Sequence, residues 1–262
     1  MSGKYAKKKN NRVPVILLVL VLVLVAAAVA AAVMRGGEAG DPVPTTVPTE
    51  ADGQVPGGTE VVTEEVTEAP TELPKPEGID LGSGLVITDV APYSGAFLED
   101  GSDEQVSDVL MIVVYNYGTA PVQYAEIRMA AGDKTANFTL STLPVGEYMM
   151  VLESGRMAFD EKAEYTQAQA QNVAKFQEPM SLRQDKIQIQ SMDGALNIIN
   201  VSGQAIAGDV FVYFKNVSDG ILCGGITYRV RVAEGMKTNE VRQIISNHYS
   251  DTGSRVMFVT CG

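Results

Sequence analysis

Tryptophan is absent from this chain, histidine occurs once, cysteine twice, and positive charge is scarce, with 20 Lys and Arg against 32 Asp and Glu in 262 residues. Each shortage removes a class of function. Without tryptophan there is no strong stacking platform for bases or sugars. A net charge of -12 and a pI near 4.6 oppose a nucleic-acid partner, which needs a basic face. One histidine disfavours a zinc site, and His248, in Asn247-His248-Tyr249-Ser250-Asp251, lacks the convergence from separate elements that a Ser-His-Asp triad requires. No glycine loop of phosphate-cradling spacing occurs, and no cofactor is expected.

What positive charge there is sits at one end. Lys4, Lys7, Lys8, Lys9 and Arg12 precede Val13–Met34, a run of 22 residues without a charge. At 1.5 Å per residue such a run reaches about 33 Å, enough for a bilayer core. The basic flank predicts a cytoplasmic tail over 1–12, a membrane-spanning signal anchor over 13–34, and an extracytoplasmic remainder. A cleaved signal peptide is the competing reading, because the end of the run is rich in alanine. Residues 35–78 are rich in Pro, Thr, Asp and Glu with almost no apolar periodicity, and this composition predicts a disordered acidic stalk.

Beyond the stalk, short apolar segments alternate with Gly, Asn, Asp and Ser. The segments are 85–90, 109–115, 124–129, 136–140 and 148–152, then 187–189, 196–201, 210–214, 226–232, 241–245 and 256–260. This spacing predicts antiparallel β-sandwiches, one over 79–178 and one over 179–262. Residues 163–176 (AEYTQAQAQNVAKF) stay open between helix and strand. Residues 219–225 (DGILCGG) read as a loop leading into a strand, with Gly224 and Gly225 permitting a bend or a close backbone approach.

The two halves echo each other. A strand ending in Tyr115-Asn116-Tyr117-Gly118 precedes one through Ile127-Arg128-Met129, and Gly146-Glu147 opens another. Later, Val210–Phe214 ends in Lys215-Asn216-Val217-Ser218, Tyr228–Val232 follows, and Asn239-Glu240 precedes Val241. This order resembles the tandem immunoglobulin-like modules of bacterial surface proteins, of the CARDB and FxLYD types. The resemblance implies two immunoglobulin-like sandwiches and a role in binding or spacing.

Three sites are singled out. Cys223, near the start of one strand, and Cys261, at the end of the last, come within disulfide range if those strands pair antiparallel. Glu99, Asp100, Asp103 and Glu104 place four carboxylates within six residues, a set able to hold calcium, although without EF-hand spacing; a solvated turn is the alternative. The sequons at Asn137, Asn200 and Asn216 matter only in a glycosylating compartment. The functional expectation is a non-enzymatic, membrane-anchored binding or scaffold protein of the cell envelope, whose partner is a surface protein or a wall polymer. An accessory subunit of a membrane complex is the alternative.

Overall fold

The structure, a computed structural model, describes residues 73–262. The tail with Lys4, Lys7, Lys8, Lys9 and Arg12, the expected span, and the stalk up to residue 72 lie outside the described residues. Among the described residues there is no helix, and hence none long and apolar enough to cross a membrane.

The described chain is all-β and sandwich-like. Its strands are β1 (Ile79–Gly82), β2 (Leu85–Ala96), β3 (Gln105–Asn116), β4 (Val122–Ala131), β5 (Lys134–Leu143), β6 (Tyr148–Leu152), β7 (Tyr165–Lys175), β8 (Ile187–Met192), β9 (Ala195–Asn200), β10 (Ile206–Ser218), β11 (Ile221–Met236), β12 (Val241–Ile245) and β13 (Ser254–Cys261). The open segment 163–176 resolves into β7, whose Tyr165, Ala168 and Ala170 pack against the first core. The segment expected as a loop at 219–225 is instead a hairpin. Asp219 and Gly220 both take positive φ, the backbone of a two-residue turn between Ser218 and Ile221, and β11 begins at once.

One seven-stranded sheet has the order β1-β2-β3-β6-β11-β10-β13, and two three-stranded sheets have the orders β5-β4-β7 and β12-β9-β8. The pairing contains a repeat. In the first set, β2-β3-β6 faces β5-β4-β7; in the second, β8-β9-β12 faces β11-β10-β13, with each strand in the same chain order. Each set has its own core. The first is built on Ile112, Val114, Ile127, Phe138, Leu140 and Val151. The second is built on Ile198, Val210, Val212, Phe214, Tyr249 and Val259. The sets join where β6 and β11 pair in parallel, with Met149 opposite Leu222 and Met150 opposite Cys223. Leu222 belongs to the first core although it stands on a strand of the second set.

A buried asparagine fixes the wiring of each set. Asn116, ending β3, donates from Nδ2 to the carbonyls of Ala120 and Leu143, and its Oδ1 accepts from Gly118 N. Asn200, ending β9, donates to the carbonyls of Gln204, Met236 and Lys237, and its Oδ1 accepts from Ser202 N. Both are fully buried, so each satisfies backbone groups that would otherwise be stranded where the chain leaves one sheet for the other. The backbone repeats as well. Asn116 N bonds Glu147 O and Gly146 N bonds Asn116 O, just as Asn200 N bonds Glu240 O and Asn239 N bonds Asn200 O. The internal echo is therefore real but its register differs from the expected one. The counterpart of Asn116 is Asn200, and Lys215-Asn216-Val217-Ser218 is not a turn but the continuation of β10.

Candidate functional site at the junction of the two sets

The acidic segment between β2 and β3 crosses the junction, and its four carboxylates go to different places. Glu99 turns inward. Its Oε1 accepts from Leu152 N at 2.8 Å and its Oε2 from Gly225 N at 2.6 Å, one donor from each set. Asp100 and Glu104 grip Arg156 at 2.9 and 2.6 Å, while the guanidinium lies over the Phe97 ring at 4.4 Å. Asp103 meets Nδ1 of His248 at 3.1 Å, and His248 in turn stacks on Tyr228. Among the described residues no group of three or more His, Cys, Asp or Glu converges on a point that could hold a metal ion. The four carboxylates, readable from sequence as a calcium set or a solvated turn, have separate partners: Glu99 and Asp103 reach across the junction, while Asp100 and Glu104 bond Arg156 within the first set.

Beneath Glu99 lies a lysine that the sequence did not mark. Lys215 is 0% exposed. Its Nζ donates to the carbonyls of Ile226 at 2.6 Å and Ser141 at 3.0 Å, with longer contacts to Gly225 O and Thr227 Oγ1. Ser141 Oγ donates to Gly225 O and shares a hydrogen bond with Thr227 Oγ1. Lys215 and Ser141 thus stitch β10 and β11 of the second set to β5 of the first. The approach is close because residue 225 is glycine: a Cβ there would stand 1.7 Å from Thr139 O. A half-buried ion pair, Arg255 with Glu147 at 2.8 Å, closes the same junction nearby.

Burial governs the charges here. Desolvation raises the Glu99 carboxyl from 4.5 to about 7, against the opposing pull of the two backbone N–H donors and the positive Lys215. Desolvation lowers Lys215 from 10.5 to about 7, resisted by the attraction of Glu99 and of Cys223. A carboxyl near 7 has the acidity a general acid or base would want. Both oxygens of Glu99, however, already accept from the backbone, and the ammonium of Lys215 is surrounded by carbonyls and a hydroxyl. A cleft of about 540 Å³ opens beside them, lined by Phe97, Glu99, Asp100, Thr139, Arg156 and Ile226. A second concavity of about 420 Å³ runs along β8, with Ile187, Ile189 and Val201 in its wall; no titratable group lines it.

The disulfide expected between Cys223 and Cys261 is not formed, and both thiols are free. The expectation required β11 to pair with β13, but β10 lies between them. Cys223 sits opposite Asn216 of β10 and Cys261 opposite Val210, six residues apart along that strand, or roughly 20 Å. Among the sequons, Asn200 is the buried peg of the second set, so its amide nitrogen is enclosed in the folded chain.

The chain matches no protein-family model, no curated protein and no solved structure.

Proposed function

We propose that this protein is a non-enzymatic, membrane-anchored binding or scaffold protein of the cell envelope. Residues 13–34 hold it in the membrane with the basic tail in the cytoplasm, and residues 35–78 space it from the bilayer. Two immunoglobulin-like sandwiches, 79–178 and 179–262, present the contact surfaces. The observation that carries this reading is the junction: its buried charged groups are bonded to backbone partners from both sandwiches, an investment in fixed relative placement that suits a scaffold. The strand order supports the immunoglobulin-like assignment, since in each set the first, second and fifth strands share one sheet and the fourth, third and sixth the other. Loops at the sandwich ends and open sheet edges are the natural contact regions.

The test is topological first and functional second. Protease added to spheroplasts should degrade the β-sandwich portion while the chain resists an alkaline carbonate wash, and the purified full chain should sediment with a wall polymer or capture an envelope protein. A β-sandwich portion protected from outside protease would sink the orientation, and turnover of an envelope substrate by the purified chain would sink the non-enzymatic part.

A further inference from the structure

The two sets differ in what lies against the fifth strand. In the first, the outer edge of β6 is taken by β11. In the second, β12 occupies the same place in the fold, and among the described residues only β9 pairs with it.

The ladder shows which backbone groups are left over. Asn200 N donates to Glu240 O and Ser246 N to Gly194 O, so the even-numbered residues of this strand bond to β9. The N–H and C=O of Val241, Gln243 and Ile245 therefore point away from the sheet. Among the described residues no other strand pairs with that edge, and its main protection is its shortness. The strand VRQII has no proline and no bulge, and its one charge, Arg242, is neutralised by Glu240 at 2.6 Å. Natural edges that avoid pairing carry such devices. Val241 is 56% exposed and Ile245 is 75% exposed.

We propose that the β12 edge is a self-association surface, taking β12 of a second copy in antiparallel register about a two-fold axis through Gln243. The strand is its own complement. With the axis at Gln243, Val241 of each copy stands opposite Ile245 of the other, and the two Gln243 amides, each both donor and acceptor, face one another. All three residues have outward backbone groups, so every one of these pairs is a hydrogen-bonded pair. A C2 contact needs this kind of self-complementarity. Charge favours it too, because a chain of net charge -12 can meet itself most readily through a neutral strip. A five-residue edge buries much less than the ~1,200 Å² of a stable interface, so the dimer is weak and forms at high local concentration. This inference does not depend on the envelope role.

The test uses the full chain in density-matched detergent. Sedimentation equilibrium should show mass rising toward the dimer with concentration. Hydrogen exchange on the same samples should slow with concentration at the amides of Val241, Gln243 and Ile245, while those of Arg242 and Ile244 stay protected throughout. Ile245→Lys should weaken association at least ~10-fold, by removing two cross-strand aliphatic pairs and adding like charge. The double change Val241→Lys with Ile245→Glu should restore it, since each new lysine then faces a new glutamate. A monomeric mass at every concentration overturns the proposal. So does association that leaves those three amides unchanged, or protection of them that does not depend on concentration, which would mean another part of the same chain covers the edge.

Discussion

The two strand sets are wired alike and finished differently. Both turn from sheet to sheet on a buried asparagine, and both place a positive-φ residue, Gly146 or Asn239, before the fifth strand. The first set has both edges of its β2-β3-β6 sheet covered, by β1 and by β11, whereas among the described residues no further strand pairs with β8 or β12 of the second. The first core is largely aliphatic, with Phe138 its one fully buried aromatic ring; the second is organised on Phe214, stacked with Tyr228 and edge-on to Tyr249. The asparagine peg and its turn thus set the path of the chain, and the apolar filling can vary around them. What makes the pair one unit is the polar seam between them together with Leu222, which the second set places in the first core.

The largest expected effect comes from breaking that seam. Gly225→Ala places a methyl against the Thr139 backbone and forces the sets apart, breaking the Glu99 and Lys215 contacts. We expect a loss of about 4 kcal/mol and a melt that splits into two calorimetric transitions. A single unchanged transition would show that the sets do not depend on the seam.

Next is pH. With Glu99 raised to about 7 from 4.5, the native state holds more protons than the unfolded one between those values, so stability falls as pH rises through that window. With Lys215 lowered to about 7 from 10.5, the unfolded state holds more protons between 7 and 10.5, and stability rises there. The two together give a minimum near pH 7, with the acid limb worth about 3 kcal/mol and the alkaline limb about 5 kcal/mol. Lys215→Met should erase the alkaline recovery and Glu99→Gln the acid limb, as read by urea midpoints across pH.

Asn116→Ala and Asn200→Ala sharpen the comparison of the sets directly. Each strands several buried carbonyls and N–H groups, and each should cost about 2 kcal/mol in chemical denaturation. Unequal losses would show that one peg matters more than its counterpart. The smallest effect is at His248, whose contact with Asp103 is partly exposed; Asp103→Asn should cost under ~1 kcal/mol in chemical denaturation.

Most of the strands were legible because turn residues and apolar runs bound them. Tyr148–Leu152 and Val241–Ile245 are found at the ends expected. β7 was not, since its Ala and Gln carry little preference and tertiary pairing with β4 decides it. The hairpin at Asp219-Gly220 was hidden by its glycines, and with it the neighbour of β11. That single miss led to the incorrect cysteine pairing. Lys215 gave no local signal. It follows Phe214 in a strand whose alternation places it on the outward face, and only the second layer supplied by the other set turns outward into buried. The acidic segment was visible as a cluster, but the partners that scatter its carboxylates come from residues 52 to 145 positions away.

The order of the seven-stranded sheet also has a mechanical consequence. β1 and β13, the first and last strands of the described chain, stand at its opposite edges, so tension applied between the chain ends runs across the ladder rather than along any one strand. Of the ladder's pairings, β6 with β11 has the fewest rungs, at two, so resistance to being pulled apart there falls on the contacts of Glu99, Lys215 and Leu222. Once those give way, residues 176–186 still tether the halves, leaving a molecule that lengthens without coming apart.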